Sequence, residues 1–336
     1  MVPDVRLPEP DRSIGVYLEP PVHLGWFDVT RPQKVEAVAC DLQLLRGMGL
    51  TGVAPGLETP DATSSRAHFL REVDQVRSAG FEGPLLAYAP FKRLLASRGL
   101  DAAIQAVDQM HSETTARGLG PVVWSIADEP SNVGHDVGLR DIRARAQELA
   151  PGVQFAGHLN HPGDRQYLEL LDIVLINEGF GVDQRDIEEV RQAGANPWLY
   201  NMTNRRMAAG FYLWRLGAEG YLQWHGRMPT ADPFDPTDGR EDDVQLLYPT
   251  DVPCPPVADV DLALFDLVDG VNDLRWLLWL EQQAEKGEEA ADLLSQLKGE
   301  VPGRWANLAG LGEQQLTTWR SRIVDLVAKQ PAKGME

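Results

Sequence analysis

Short apolar runs rich in β-branched and aromatic residues alternate with amphipathic stretches of helical period from Ser13 to Gly287. The apolar runs predict eight strands, at residues 13–18, 52–54, 85–88, 122–126, 154–156, 172–176, 198–200 and 221–224. The stretches between and after them predict helices at residues 32–48, 64–79, 100–117, 139–149, 164–170, 185–193, 205–216 and 260–286. Five of these helices are followed by a glycine, as expected for a left-handed C-cap: Gly49, Gly80, Gly118, Gly194 and Gly217.

Eight strand-helix units favour an α/β fold with a single (β/α)8 TIM barrel, which has eight such units in typically ~250 residues. A doubly wound Rossmann or flavodoxin-like sheet is the alternative, but no G-x-G-x-x-G follows the first strand. We therefore predict a TIM-barrel catalytic domain over residues 12–287, with a long Pro-, Asp- and Gly-rich loop after strand 8 at 226–256. Residues 288–336 form a predicted C-terminal helical extension packed on the barrel, with helices at 289–297 and 314–329.

The chain has 336 residues, of which 43% are hydrophobic and 24% charged, a composition that predicts a soluble globular protein. Its formal net charge is −19 and its pI is near 4.8. This charge opposes binding to nucleic acid or to an anionic membrane, so neither is an expected partner. No apolar stretch is long enough to span a bilayer, and the first eleven residues lack the apolar core of a signal peptide. A cytoplasmic location is predicted for the chain as it stands, with export after removal of a signal as the alternative. The oligomeric state is not predicted.

The two cysteines, Cys40 and Cys254, fall in a predicted helix and in a Pro-rich loop. They lack the C-x-x-C or Cys/His spacing of a zinc site. We predict that they are small buried apolar residues rather than metal ligands or a disulfide. No metal and no cofactor is predicted for the chain.

The candidate chemistry lies at the end of strand 4, where Asp128 and Glu129 follow a buried apolar run and precede Pro130. The carboxyl ends of barrel strands carry the catalytic residues of this fold, so the two carboxylates are the predicted catalytic pair. The competing interpretation is structural, because acidic residues before a proline also cap the free N–H groups of a helix.

Other polar and aromatic residues follow the remaining strands, as expected of a sugar site with amides for hydroxyls and indoles for the apolar ring face. The predicted substrate-binding residues are Trp26, His158, Asn160, Asn177, Glu178, Asn201, Trp224 and His225. Three of them have a structural alternative. Glu178 suits a loop ion pair, Trp224 suits the barrel core, and the histidine at 158 suits a hydrogen-bonded loop better than a metal site.

The chain resembles glycoside hydrolase family 123 and related barrel domains. The resemblance rests on short motifs in the family's order: Trp26-Phe27-Asp28-Val29-Thr30, Ala127-Asp128-Glu129-Pro130, Gly220-Tyr221-Leu222-Gln223-Trp224 and Leu267-Val268-Asp269-Gly270-Val271-Asn272-Asp273-Leu274. It spans most of the predicted barrel. The chain departs from the family in lacking an N-terminal β-sandwich and in having Asp269-Gly270 where an arginine-glutamate-glycine run is usual.

The resemblance implies a retaining β-N-acetylgalactosaminidase-type enzyme in which the sugar's own 2-acetamido oxygen attacks the anomeric carbon. Glu129 would then be the general acid/base, and Asp128 would orient the acetamido group. One alternative is a two-carboxylate retaining glycosidase on a plain hexoside; strand 7 offers no carboxylate at Tyr200-Asn201-Met202, so Glu178 would have to be its nucleophile. Another alternative is a barrel that binds carbohydrate without cleaving it.

Overall fold

The computed structural model describes residues 5–18, 31–132, 138–227, 245–248, 252, 254–256, 258–308 and 311–329. It contains eight strands close to the predicted positions. They are β1 (Ser13–Leu18), β2 (Gly52–Pro55), β3 (Leu85–Ala87), β4 (Val122–Asp128), β5 (Gln154–Leu159), β6 (Ile173–Ile176), β7 (Asn196–Tyr200) and β8 (Gly220–Gln223).

All paired strands are parallel and belong to one sheet, in the order β2-β1-β8-β7-β6-β5-β4-β3. The sheet curves until its edge strands β2 and β3 approach each other, so it is nearly closed into a barrel. The α/β TIM-barrel prediction is confirmed. Because all strands run in the same direction, their carboxyl ends meet at one mouth.

The helices surround the sheet and mostly match the predicted periods. They are α1 (Arg31–Gly47), α2 (Thr63–Ser78), α3 (Pro90–Arg98), α4 (Leu100–Ala116), α5 (Leu139–Leu149), α6 (Gln184–Gln192), α7 (Arg205–Met207), α8 (Leu213–Leu216), α9 (Leu262–Ala284), α10 (Glu288–Glu300) and α11 (Glu313–Lys329). The five cap glycines have positive φ, between 65° and 97°, as predicted. Among the described residues, no helix is both long enough and apolar enough to cross a membrane.

Three helical segments differ from the prediction. Helix α3 was not predicted; it begins at Pro90, whose fixed φ suits the first turn of a helix. Residues 162–170 form a 3₁₀ helix, Pro162–Leu170, instead of an α-helix. The predicted helix 205–216 is interrupted by a π turn, Ala208–Tyr212.

The π turn coincides with a close crossing of two helices. A Cβ at Gly210 would lie 2.8 Å from the carbonyl oxygen of Gly270 in α9, and a Cβ at Gly270 would lie 2.6 Å from the carbonyl oxygen of Arg206. Neither position can carry a side chain without moving a backbone. The two glycines therefore let α9 pack directly against the segment between α7 and α8.

The buried residues form two layers. The barrel interior is filled by one inward-facing set: Tyr17, Ala54, Leu86, Val123, Ala156, Ile173, Leu175, Trp198, Tyr200 and Leu222. The larger layer lies between the sheet and the helices and includes Trp124, Phe155 and Phe211. Two aromatic members of the inner layer, Tyr17 and Tyr200, lie near the carboxyl ends of their strands and form part of the floor of the barrel mouth.

The prediction for the two cysteines was wrong: Cys40 of α1 and Cys254 form a disulfide, with a Cα–Cα distance of 5.7 Å. The chain after β8 returns to α1, and this brings together two residues separated by 214 positions in sequence. A nearby buried ion pair joins the same parts of the chain, since Arg227 donates to Asp41 of α1 through two contacts of 2.8 Å. Residues 228–244 of the predicted long loop lie outside the described residues.

The C-terminal helices pack on the barrel wall through α9. The ring of Trp319 in α11 lies 5.0 Å from that of Phe211, and Arg320 of α11 donates to Asp273 of α9. Asp273 has no exposed surface and also accepts a hydrogen bond from Arg206, with Nε and Oδ2 2.8 Å apart. The C-terminal helices are thus joined to the barrel by aromatic contact and by buried charge.

Candidate active site

A β-bulge near the end of β4 turns Asp128 into the barrel mouth. Ser125 is opposite Ala156 and Ala127 is opposite Gly157, so the register shifts by one residue at Ile126. Val123 faces the barrel interior, and regular alternation would send residue 127 inward and residue 128 outward. With the extra residue, Ala127 instead joins the outer layer, and Asp128 pairs with the inward-facing His158.

Glu129 leaves the strand in the left-handed region, with φ of 52°. The residues that follow Tyr88 and Tyr200, Ala89 and Asn201, also have positive φ, at 68° and 49°. Three strand ends therefore turn sharply just after their last mouth-facing residue, a conformation that costs about 1–3 kcal/mol for a non-glycine residue. Neighbouring residues of a regular strand point to opposite faces; here the bulge and this turn bring both carboxylates to the mouth.

Each carboxylate is held by a tyrosine from another strand. The Tyr88 hydroxyl donates to Asp128 Oδ2 at 3.2 Å, and the Tyr200 hydroxyl donates to Glu129 Oε1 at 2.9 Å. Asn132 Nδ2 donates to the other Glu129 oxygen at 2.8 Å. Burial, and then the nearby Glu129 carboxylate, raise the pKa of Tyr200 far above its ordinary value. Tyr200 is therefore a neutral donor throughout the pH range of ordinary enzyme assays.

Tyr17 and His158 lie beneath the carboxylates and are each 2% exposed. The Tyr17 hydroxyl is 2.5 Å from His158 Nε2, while His158 Nδ1 is 3.4 Å from the carbonyl oxygen of Ala127. Burial raises the pKa of Tyr17 and lowers the pKa of His158. The consistent arrangement is a neutral imidazole that accepts from Tyr17 and directs its Nδ1 proton to Ala127. His158 thus supports the floor of the mouth from below.

Trp224 is half-buried at the end of β8 and completes the floor. Its ring centroid is 5.4 Å from that of Tyr17 and 5.7 Å from that of Tyr88. The peptide bond to His225 is cis. His225 itself has no exposed surface, and its Nδ1 accepts a hydrogen bond from the Arg227 amide at 3.1 Å. Trp224 is therefore positioned at the mouth, whereas His225 is buried behind it.

Four further predicted site residues, Asn160, Asn177, Glu178 and Asn201, lie around the same mouth with different roles. Asn160 Oδ1 has no hydrogen-bond partner among the described residues and suits a ligand hydroxyl. Asn177 Oδ1 accepts a hydrogen bond from the backbone amide of Gly179 at 2.9 Å, and Asn201 Oδ1 accepts one from the backbone amide of Trp224 at 2.7 Å. Both asparagine side chains therefore hold the backbone of the rim in place. Glu178 is exposed, and its Oε1 accepts from the amide and hydroxyl of Thr203, at 2.9 and 2.7 Å. Trp26 lies outside the described residues.

The loop that carries Glu129 is tied to the loop after β5 by Asp164, a fully buried residue. Asp164 Oδ1 accepts from the Ser131 hydroxyl, and its Oδ2 accepts from the amides of Asn160 and His161, at 3.2 and 3.0 Å. His161 caps the 3₁₀ helix that begins at Pro162, through a contact of 3.0 Å from Gly163 N to its Nδ1. These bonds fix the Glu129 loop relative to Asn160.

Three tyrosines of the site, Tyr17, Tyr88 and Tyr200, were not predicted as functional residues. Each faces the mouth within one residue of the end of its strand, and a buried tyrosine needs a polar partner for its hydroxyl. That combination was a usable signal in the sequence. Among the described residues, no group of three or more His, Cys, Asp or Glu side chains is arranged to hold a metal ion.

Comparison with known proteins bears on the fold. No protein-family model matches the chain, and no curated protein is similar to it in sequence. A GH2 β-galacturonidase from Eisenbergiella tayi, solved with galacturonate, resembles it with a TM-score of 0.50 and 11% identity over 78% of this chain and 51% of the other. An endo-β1,6-glucanase resembles it with a TM-score of 0.47 and 8% identity, over 76% of this chain and 75% of the other.

A mandelate racemase/muconate lactonizing enzyme from Roseiflexus sp. is also similar, with a TM-score of 0.37 and 14% identity over 63% of this chain. The chain spans 55% of the length of that enzyme and 51% of the length of the β-galacturonidase. At these identities the likeness is one of fold. The structural neighbours are TIM barrels that include several glycoside hydrolases together with enzymes of other chemistry.

Proposed function

We propose that the protein is a glycoside hydrolase. The observation that carries the proposal is the pair Asp128–Glu129 at the barrel mouth, with each carboxylate held by a tyrosine above an aromatic floor. Glycosidic bond cleavage needs a positioned acid near the leaving oxygen and negative charge near the developing cation, which two carboxylates provide. The face of Trp224 suits the apolar side of a sugar ring.

The proposed substrate class is a terminal β-linked N-acetylhexosamine, with N-acetylgalactosamine as the first choice on the basis of the family resemblance. A cavity of about 120 Å³ beside Asp128 supports an acetamido group. It is lined by Tyr88, Ala89, Ile126 and Ala127, which suit a methyl group, and by the polar residues Lys92, Ser125 and Asp128. A plain hexose carries only a hydroxyl group at C2 and would fill less of this space.

In the proposed mechanism, Glu129 gives its proton to the glycosidic oxygen while the bond from that oxygen to C1 breaks. The carbonyl oxygen of the 2-acetamido group forms a bond to C1, and Asp128 accepts a hydrogen bond from the acetamido N–H and stabilises the positive charge. Water then attacks C1 and loses a proton to Glu129, and the bond from C1 to the acetamido oxygen breaks. The sugar is released with its configuration retained.

The contacts of Glu178 favour this mechanism over a two-carboxylate one. Its Oε1 is occupied by two hydrogen bonds from Thr203, which gives it a role in joining the loops after β6 and β7. A nucleophilic role would require its other oxygen, Oε2, to reach C1 while Oε1 stays bound to Thr203. Asp128 and Glu129, by contrast, already lie together at the mouth.

The test compares Glu129→Gln and Asp128→Asn on two β-N-acetylhexosaminides that differ in leaving group, nitrophenol and dinitrophenol. Loss of a positioned general acid typically costs ~10²–10⁴-fold. The loss in Glu129→Gln should shrink on the dinitrophenyl glycoside, because that leaving group needs no proton. Asp128→Asn should remain impaired on both substrates, since its role is in the attack step.

Glu169→Gln, at an exposed site on the 3₁₀ helix after β5, is the matched control and should match the wild type. A thiazoline analogue of the cyclised sugar should inhibit the wild type strongly, because it mimics the bound intermediate. The proposed mechanism fails if a fluorosugar traps a covalent glycosyl group on Glu178 and the thiazoline does not inhibit. That result would assign a two-carboxylate retaining mechanism instead.

A further inference from the structure

A second cavity, of about 820 Å³, lies at the mouth end of the barrel beside the loop that joins β6 to α6. Its walls come from the start of the 3₁₀ helix Pro162–Leu170, from residues 178–183 and from α6. The remaining wall is Trp305 and Ala306, in a short 3₁₀ helix of the C-terminal extension. The volume is in the range of ligand sites. We refer to this cavity as the β6 cleft.

The β6 cleft has a preformed wall. Arg165 donates to Asp186 at 2.7 Å and to Glu189 at 2.9 Å, and its guanidinium lies 4.4 Å from the centre of the Phe180 ring. Asp186 is 2% exposed and also accepts from the Asp183 amide at 2.9 Å. Because these side chains are already fixed by one another, a ligand would bind without paying to order them.

Trp305 provides the cleft with an aromatic surface. It is half-buried, with its ring centroid 4.9 Å from that of Tyr212 and its amide donating to Asp183 Oδ1 at 3.0 Å. These two contacts hold the indole in place while part of it faces the cleft. A fixed, partly exposed indole beside polar side chains is suited to the apolar face of a sugar ring.

The charge of the β6 cleft discriminates between sugars. Its lining has two arginines and four carboxylates: Arg165 and Arg185, and Glu178, Asp183, Asp186 and Glu189. The excess is negative, in a chain whose net charge is −19. A sulfated sugar or a uronic acid would be repelled, whereas a neutral sugar would find several hydrogen-bond acceptors.

The β6 cleft is adjacent to the rim of the proposed catalytic site. Glu178 forms part of its wall and is bonded to Thr203, two residues past Asn201 at the end of β7. On the other side, Gly179 packs against Asn160, since a Cβ there would meet the Asn160 carbonyl oxygen at 2.3 Å. The cleft therefore begins where the loops after β5, β6 and β7 meet.

We infer that the β6 cleft binds the sugars that follow the terminal residue of a neutral oligosaccharide, with Trp305 as the stacking surface. The inference rests on the proposed glycosidase function and makes it more specific: the substrate is an oligosaccharide, and the C-terminal extension completes its binding site. Sugar units that leave the mouth on the β6 side reach a cavity large enough for more than one ring.

The test uses a nitrophenyl monoglycoside and a neutral trisaccharide of β-linked N-acetylgalactosamine, the sugar proposed above. Trp305→Ala should lower kcat/KM for the trisaccharide at least tenfold more than for the monoglycoside, mainly through KM, and Trp305→Phe should restore most of the difference. The control is Trp276→Ala, which removes a half-buried tryptophan of α9 that packs against Trp279. It should leave the ratio of the two substrates unchanged. Sulfation of the trisaccharide's second sugar should weaken hydrolysis in the wild type.

Equal losses on both substrates in Trp305→Ala would overturn the inference and leave the glycosidase proposal standing. If no substrate is hydrolysed, calorimetry can still test sugar binding in the β6 cleft separately from the glycosidase proposal. It would measure binding of the trisaccharide to Glu129→Gln. Weaker binding in Glu129→Gln/Trp305→Ala than in Glu129→Gln would then support the cleft while the catalytic proposal fails. Unchanged binding would overturn the cleft.

Discussion

The Tyr200 hydroxyl lies 2.9 Å from Glu129 Oε1, in a position where burial keeps the phenol protonated. A hydrogen bond from a fixed neutral donor restricts the carboxylate to one rotamer and one orientation. The general acid is then ready to face the leaving oxygen before substrate arrives. Tyr88 has the corresponding position next to Asp128.

We predict that Tyr200→Phe lowers kcat/KM on a nitrophenyl β-N-acetylhexosaminide about tenfold or more, because a hydrogen bond to a charged group is worth about 1.5–3 kcal/mol. Tyr221→Phe is the matched control: Tyr221 is a fully buried tyrosine of β8, and its hydroxyl bonds to Gln223 instead of a site carboxylate. It should change stability without changing kcat/KM of the folded enzyme. Equal kinetic losses in the two variants would remove Tyr200 from the site.

At the scale of elements, hydrophobic periodicity was enough to predict the barrel. The predicted strand 13–18 and helix 139–149 match β1 and α5 at both ends, because a buried strand and an amphipathic helix each leave a local pattern. The bulge at Ile126 left no such pattern. All residues of β4 before Asp128 are buried, so the sequence shows no alternation of polar and apolar residues that a bulge could interrupt. Two other features depend on segments distant in sequence. The π turn packs against Gly270 of α9, and the disulfide joins α1 to the chain after β8.

The same limit applies to the site. Asp128 and Glu129 were predicted as the catalytic pair from their place at a strand end, which a single sequence can reveal. The tyrosines that hold them come from β3 and β7, and their hydrogen bonds become visible once the order of strands around the barrel is known. Trp305 lies still further away, in a segment predicted only to pack on the barrel wall.

The disulfide Cys40–Cys254 and the ion pair Arg227–Asp41 both attach the segment after β8 to α1. A disulfide typically contributes about 2–4 kcal/mol, so we predict that Cys40→Ser/Cys254→Ser lowers Tm by several degrees. Dithiothreitol should lower the Tm of the wild type toward the same value and leave the double variant unaffected. An identical Tm for the wild type with and without reductant would show that the bond does not stabilise the fold. Such bonds persist in oxidising compartments.

At the scale of the whole molecule, the C-terminal helices depend on a small group of buried charges. Asp273 has no exposed surface and contacts both Arg206 and Arg320, which bridge the barrel helices to α11. Burial raises the pKa of Asp273, and the two arginines oppose that shift. The carboxylate is therefore tolerable in the interior because cations from two other helices meet it.

We predict that Asp273→Ala lowers the free energy of unfolding by about 3–5 kcal/mol, because it removes the buried carboxylate that faces the buried guanidinium of Arg206. Asp269→Ala is the comparison: it removes a carboxylate of the same helix that also contacts Arg320, but whose side chain is 47% exposed. Its cost should stay below about 1 kcal/mol. Urea denaturation measures both, and similar costs for the two variants would contradict a structural role for the buried group.

The bulge in β4 also decides how the acidic pair must be sought in other barrels. If an Asp-Glu dipeptide followed a regular strand without a bulge, its aspartate would point outward from the barrel, where a surrounding helix would cover it. Such a chain would share the motif and lack the site. Relatives of this protein should therefore be recognised by two residues, instead of one, between the inward-facing position of Ser125 and the aspartate of the pair. A chain with one residue fewer there would still match the Asp-Glu motif but would not have this site.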